Sequence, residues 1–376
     1  MSPTFSIVVP CYRLRERRWI IEQCVASIAR QTFRDYELLL VDDGSPDGTP
    51  DVLREMIARD PVLSARGRVL TLAENSGVCA ARNAGIDAAL GQYIAFLDYD
   101  DLWQAQYLAR IHDAARDHPD KEVFLAGTDF LRTLGRKARV RSSGALDYLN
   151  KCTDTQFKAW HLLHNFPVAM GSAVVVARKL YRDHPELKYD LALSRSTAED
   201  VLFGMQLLAR GIRPWYVEEP LCVHRRIVET ESRGHAAFLW VDERKVNDYI
   251  SLRAADLIER RVIAELPEFE RQVRAVRERL NLEFDLKREF RSASHWFGLR
   301  TCLRRPRGFK TLARLAGTAV LVGGPFKFIL WQYFFRTGGD DPQARARVQS
   351  LLNALRAGPT PDTPRSAVQC APGEWA

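Results

Sequence analysis

The run Tyr93-Ile94-Ala95-Phe96-Leu97-Asp98-Tyr99-Asp100-Asp101-Leu102-Trp103 is apolar as far as Leu97 and then turns abruptly acidic. A continuous apolar run reads as a strand buried in a parallel sheet, and ligands of open α/β sheets bind outside the carboxyl ends of such strands. Asp98 and Asp100, spaced i, i+2 at that edge, could share one hard divalent cation with the oxygens of a phosphate-bearing ligand. Magnesium and manganese favour such oxygen sets, usually one or two carboxylates plus phosphates and water. The pattern therefore suggests a metal-bound nucleotide diphosphate. A solvated turn is the alternative, because Asp is a common turn former.

Two further strand ends carry polar signals. Phe5 to Val9 is apolar and stops at Pro10-Cys11-Tyr12, and Tyr36 to Val41 stops at Asp42-Asp43-Gly44-Ser45, a turn before the helical run Pro50 to Ala58. Val69 to Leu72 reads as another strand, and Asn75-Ser76-Gly77 opens a helix over Val78 to Leu90 that carries Arg82 and Asn83. Strands alternating with helical segments predict right-handed βαβ units and a parallel sheet. All these polar groups then fall on one sheet edge.

On Ser6-Ile7-Val8-Val9-Pro10-Cys11-Tyr12, Gln31-Thr32-Phe33, Val41-Asp42-Asp43-Gly44-Ser45, Asn75-Ser76-Gly77, Ala81-Arg82-Asn83-Ala84-Gly85 and Asp98-Tyr99-Asp100-Asp101 the chain resembles the family 2 glycosyltransferases, inverting enzymes of GT-A fold. The resemblance continues more loosely to about Ser232. It implies an α/β GT-A domain with a mostly parallel sheet flanked by helices, divided into a nucleotide-sugar-binding half (1–115) and an acceptor and catalytic-base half (116–240). It also implies roles for single residues. Pro10 and Tyr12 would line the base pocket, with Gly77 beside it, and the Tyr12 ring would stack on the base. Asp42 would accept a hydrogen bond from the base, in the family usually uracil or thymine, while Asp43 mostly shapes the turn. Arg82 would help hold the nucleotide or its phosphates, or else be an exposed helix arginine. Asp98 would bind the ribose, and Asp100 with Asp98 a manganese or magnesium ion.

Ser194 to Gly211 predicts a helix with Glu199-Asp200 in its first turn. Ser196-x-x-Glu199 and Thr197-x-x-Asp200 both match a capping box. The pair equally resembles the family's Glu-Asp motif, which implies Asp200 as general base and a supporting or capping role for Glu199. After a strand-rich stretch over Ile212 to Val223 comes His224-Arg225-Arg226-Ile227, where many relatives read Tyr-Arg-x-His. His224 and Arg225 could neutralise diphosphate there, although a solvated basic loop would look the same.

At 376 residues and 46% hydrophobic content the chain can hold a full core and more than one domain. Its seven cysteines occur singly with no Cys-x-x-Cys pair, so neither a disulfide framework nor a zinc site is expected; the N-terminal reading offers no secretory signal. Residues 241–314 read as a basic helical extension, and Arg291 to Arg314 holds seven basic residues with no acid. The apolar stretch that follows, 315–336, is interrupted by Gly323-Gly324-Pro325 and Lys327, which suits a monotopic anchor on an anionic leaflet at the inner face of the cell membrane. A spanning hairpin or a buried helix is the alternative. The tail 337–376, with several prolines and glycines, reads as disordered.

The net charge of +8 is generic for nucleic-acid binders, but beside an apolar segment it favours anionic lipid or a lipid-linked acceptor. The expected function is transfer of a sugar from a UDP- or dTDP-sugar to a hydroxyl of a glycan or lipid-linked acceptor in cytoplasmic surface-polysaccharide assembly, without nucleic acid. Two alternatives are an inactive nucleotide-sugar-binding module and a sugar nucleotidyltransferase. The second opens with a Gly-rich phosphate loop that Pro10-Cys11-Tyr12-Arg13-Leu14 does not provide.

Overall fold

The computed structural model describes residues 2–134, 137–143, 146–151, 170–191, 194, 199–227 and 341–357. One side of its sheet is made of the strands β1 (Phe5–Cys11), β2 (Tyr36–Asp42), β3 (Gly67–Thr71) and β4 (Tyr93–Phe96), in the order β3-β2-β1-β4 and all parallel. Every residue of β1 is buried, as its continuous apolar run requires of a strand covered on both faces. The helices α1 (Arg18–Ala29), α2 (Thr49–Arg59), α3 (Pro61–Ser64) and α4 (Val78–Ala88) return the chain between these strands.

Register decides what meets at the carboxyl edge. β1 pairs with β2 from Phe5↔Tyr36 to Cys11↔Asp42, and with β4 from Phe5↔Tyr93 to Val8↔Phe96. Leu97 continues that pairing through its N–H to the Val8 carbonyl at 3.1 Å. Tyr12, Asp42 and Asp98 therefore leave the sheet on the same side, each just past or at the end of its own strand.

The second half adds β5 (Leu102–Trp103), α5 (Tyr107–Asp117), β6 (Val123–Leu134), β7 (Lys137–Ser142), the short helix α6 (Met170–Ala173), β8 (Val174–Ala177), α7 (Arg178–Asp183), α8 (Glu199–Ala209) and β9 (Trp215–Ile227). The described sheet runs β3-β2-β1-β4-β8-β6-β9-β5, with β7 hairpinned onto β6. Here the pairing turns mixed: β8 is antiparallel to β4 and β6, β9 parallel to β6, and β5 antiparallel to β9. By pairing with β4, β8 brings α6 to the end of the acidic strand.

The tail reading needs correction. Within the stretch expected to be disordered, Pro342–Arg356 forms α9. Asp341 caps it, accepting from the N–H groups of Gln343 and Ala344 at 3.0 Å each, and Pro342 occupies the first turn, where its missing N–H is harmless. Ala344, Val348, Leu351, Leu352 and Leu355 make a helical apolar stripe that packs with Leu102, Leu131, Val140 and Val223. Arg347 donates to both oxygens of the fully buried Asp129, at 2.9 and 2.8 Å. Prolines and glycines in the flanking sequence hid a stripe that becomes stable only with a sheet face to cover.

Among the described residues no helix is long and apolar enough to cross a membrane. The expected extension over 241–314 and the apolar stretch 315–336 lie outside the described residues, as do 358–376. Cys11, Cys24, Cys79 and Cys222 are free and buried.

Candidate functional site

The nucleotide-side residues sit where the strand ends put them. Pro10 is buried and Tyr12 half-buried, with the Arg13 guanidinium over the Tyr12 ring at 5.3 Å from its centroid. Asp42 is fully buried. One of its oxygens accepts from the Ser45 N–H at 3.1 Å, and the other, Oδ1, has no hydrogen-bond partner among the described residues. A buried carboxylate oxygen left unpaired is expensive, so Asp42 is poised to accept from a ligand N–H. Asp43 shapes the turn: it accepts from Asn75 Nδ2 at 3.0 Å, Ser76 N at 2.9 Å and Gly77 N at 2.8 Å. Gly77 has φ +89°, and a Cβ there would stand 2.4 Å from Cβ of Ser194. Only glycine fits that bend.

Arg82 is the hub. Its side chain is only 2% exposed, so the exposed-helix reading does not hold. Nη2 donates to Asp98 Oδ1 at 2.9 Å, Nη1 donates to Glu199 Oε1 at 3.1 Å, and Nη1 lies 3.6 Å from Asp200 Oδ1. The expectation had Arg82 holding nucleotide; the structure shows it clamping the nucleotide-side carboxylate to the candidate base pair. Its guanidinium also lies 5.1 Å from the Tyr189 ring centroid. The Asn83 side chain clasps the Tyr189 backbone, donating to its carbonyl at 2.8 Å and accepting from its N–H at 2.9 Å. That is a physical role for the Arg82-Asn83 pair.

One cation serves three carboxylates here, and burial raises the cost of charge. The Glu199 carboxyl is pushed up to about 7 by burial and by neighbouring Asp200, against the pull of Arg82. Burial also raises Asp200 despite the Arg82 cation. Glu199 Oε2 and Asp200 Oδ1 accept no hydrogen bond among the described residues. A carboxylate raised in this way is a competent proton acceptor near neutral pH. The capping-box alternative rests on Ser196 and Thr197, which lie outside the described residues.

The acidic turn is divided in use. Asp101 is fully buried and accepts from Ser172 Oγ at 2.5 Å and from the Arg225 N–H at 2.8 Å, with His224 Nδ1 3.1 Å away. Burial pushes Asp101 up, but the His224 cation and these donors hold it below the usual range. His224, in turn, is raised to about 9, mainly by Asp101, so it is an imidazolium at neutral pH, with 41% of its side chain exposed. Asp100 is pushed up to about 7 by burial and by the charges of Asp101 and Asp98.

Arg225, expected to neutralise diphosphate, is 3% exposed, and its guanidinium is turned inward, donating to the Asp100 carbonyl, the Gln23 side chain and the Ile20 carbonyl. It is a strut between α1 and the acidic turn. His224 remains the accessible cation.

Asp98 and Asp100 fit a hard divalent cation by donor chemistry: both offer carboxylate oxygens, and a dication would offset the burial and the neighbouring Asp101 and Asp98 charges that raise Asp100. Among the described residues no group of three His, Cys, Asp or Glu side chains forms a ready cage. Sequence reasoning missed Gly171, Ser172, Gln23 and Tyr189. No local motif marks them, since each acts through a contact with a distant element.

A polar carboxyl edge on a parallel half-sheet, joined through Arg82 to the Glu199-Asp200 pair of a mixed second half, is the arrangement of a GT-A fold. Comparison with known proteins finds that residues 6–181 match the sequence model described as "Glycosyl transferase family 2", so this part of the chain is similar to that family. It is similar to the uncharacterized glycosyltransferase EpsJ of Bacillus subtilis, 40% identical over 118 residues that cover 31% of this chain and 32% of EpsJ. It is also similar to the putative teichuronic acid biosynthesis glycosyltransferase TuaG of the same organism, 39% identical over 109 residues covering 29% and 40%. The chain thus spans about a third to two fifths of the length of these relatives. Among solved structures, S. aureus TarS 1–349 shares the fold, with a TM-score of 0.54 at 19% identity over 76% of this chain and 74% of that one. The same TarS segment in complex with UDP-GlcNAc gives 0.53 at 21% identity, over 80% and 76%.

Proposed function

We propose that the protein is an inverting glycosyltransferase that moves a sugar from a UDP- or dTDP-sugar to a hydroxyl of a glycan or lipid-linked acceptor in cell-surface polysaccharide biosynthesis. The observation that carries this reading is the Arg82 clamp, which brings Asp98 and Asp200 to 2.9 and 3.6 Å of one guanidinium. Donor-side and base-side carboxylates then face a single reaction centre. Asp200 draws the proton from the acceptor hydroxyl, whose oxygen attacks the anomeric carbon opposite the nucleotide. The new C–O bond forms as the bond to the diphosphate breaks, and the electron pair leaves with the diphosphate, so configuration inverts. Glu199 holds Arg82 in place. The unpaired Asp42 oxygen accepts from an imide N–H such as that of uracil or thymine, and Tyr12 stacks on the ring. A manganese or magnesium ion held by Asp98 and Asp100 would supply Lewis-acid stabilisation of the leaving diphosphate. His224 adds positive charge beside it.

The surface-glycan role is supported by the relatives' names. Attachment to an anionic inner leaflet is supported by the basic and apolar stretches of sequence alone. Asp200→Asn tests the central assignment. Turnover is expected to fall by about 10²–10⁴-fold, the usual contribution of a general base, while UDP affinity stays unchanged. If the variant only loses about 1 kcal/mol of stability and turns over normally, Asp200 is a helix cap and the reading fails.

A further inference from the structure

The Ser172 hydroxyl is bonded at both ends of the acidic turn. Ser172 lies on α6, immediately before β8, and is 1% exposed. Its hydroxyl works in both directions, donating to Asp101 Oδ2 at 2.5 Å and accepting from the Asp98 N–H at 3.0 Å. Its carbonyl accepts from Trp103 Nε1 at 2.7 Å. The turn itself is closed by the Asp101 N–H to the Asp98 carbonyl at 3.0 Å. Ser172 thereby pins both ends of Asp98–Asp101 from a short helix more than seventy residues away in sequence.

The consequence is a division between two adjacent acids. With Ser172, His224 and the Arg225 N–H on it, Asp101 has both oxygens engaged inside the protein. The Asp100 carboxylate accepts no hydrogen bond among the described residues and is left as the acid with capacity to spare. Its neighbour Gly171 serves the other side of the centre. A Cβ on Gly171 would stand 3.0 Å from Asp98 Oδ2, 3.1 Å from Arg82 Nη2 and 3.6 Å from Asp200 Oδ2, and its N–H donates to Asp200. A methyl group there would press on the clamp, whose side chains would have to give by a few tenths of an ångström.

We infer that Gly171-Ser172 is a positioning element of the transferase centre: Ser172 consumes Asp101 so that Asp100 faces the ligand, and Gly171 leaves the gap in which Asp98, Arg82 and Asp200 converge. The inference rests on the glycosyltransferase reading above. Its test uses the full-length chain and three variants, Ser172→Ala, Ser172→Thr and Gly171→Ala. Binding of UDP and dTDP is measured by calorimetry with manganese and with a chelator, alongside kcat, KM and thermal stability. Ser172→Ala should weaken manganese-dependent nucleotide binding about 10–100-fold, the usual effect of losing an outer-shell partner, and leave chelator-insensitive binding unchanged. Ser172→Thr, which keeps the hydroxyl, should restore most of it. Gly171→Ala should lower kcat at least tenfold with nucleotide affinity retained. Wild-type metal-dependent affinity in Ser172→Ala, or equal losses in the Ala and Thr variants, would overturn the inference and leave the transferase reading standing. A wild-type chain that binds neither nucleotide overturns the reading itself, and this inference with it.

Discussion

Replacing Arg82 by Met keeps an apolar stem like that of the arginine methylenes and removes the guanidinium with its charge. The structure gives the magnitude. Arg82 is 2% exposed and Glu199 10%, so this pair is buried, whereas Asp98 and Asp200 at 31% are partly screened. Breaking a buried ion pair by removing one partner costs about 3–5 kcal/mol; the exposure of two of the three acids favours the lower end. The effect should depend on pH in a definite direction. In the wild type the Glu199 carboxyl already titrates near 7, above its value in the unfolded chain, because of burial and Asp200. The native state therefore binds more protons than the unfolded state between roughly pH 4.5 and 7, and stability falls as pH rises through that window. Without the Arg82 cation Glu199 and Asp200 move further up, so the slope steepens. Each proton retained is worth about 1.4 kcal/mol per pH unit. Urea unfolding of both proteins from pH 5.5 to 8.5 should show a destabilisation of about 3 kcal/mol at pH 8 that shrinks to about 1 kcal/mol or less at pH 5.5. A deficit independent of pH, or one below about 1 kcal/mol at pH 8, would show that Arg82 is not compensating buried carboxylates.

Asp42→Ala removes the acceptor whose Oδ1 stands unpaired, and should weaken uridine nucleotide binding about tenfold or more with little change in kcat; unchanged affinity by calorimetry would move the base pocket elsewhere. Leu352→Ala on α9, where the side chain is 6% exposed, should cost about 2–3 kcal/mol in urea unfolding, and no measurable loss would mean that the helix is not part of the cooperative fold. Arg347→Ala should cost about 2 kcal/mol, less than a fully buried pair because 35% of Arg347 is exposed, and a double-mutant cycle with Asp129→Ala should recover most of that loss as coupling.

The sequence by itself determined the first half of the sheet and the edge on which ligands meet. Apolar strands followed by turn-forming polar residues are local patterns, and their alternation with helices leaves a parallel sheet as the economical solution, so Tyr12, Asp42 and Asp98 could be assigned to one edge before any coordinates. What tertiary structure decided was which charges meet. Arg82 and Glu199 are 117 residues apart, and nothing in either neighbourhood distinguishes a nucleotide-binding arginine from one that clamps carboxylates. The same holds for Arg225, whose motif suggested a phosphate contact until burial against Gln23 and Ile20 turned its guanidinium inward. Ser172 carries no motif at all, and α9 reads as tail until Leu102, Val140 and Val223 supply the face that its stripe covers. Periodicity and strand ends are written in neighbouring residues; burial, and the pairing of charges that burial enforces, exist only once distant segments have packed.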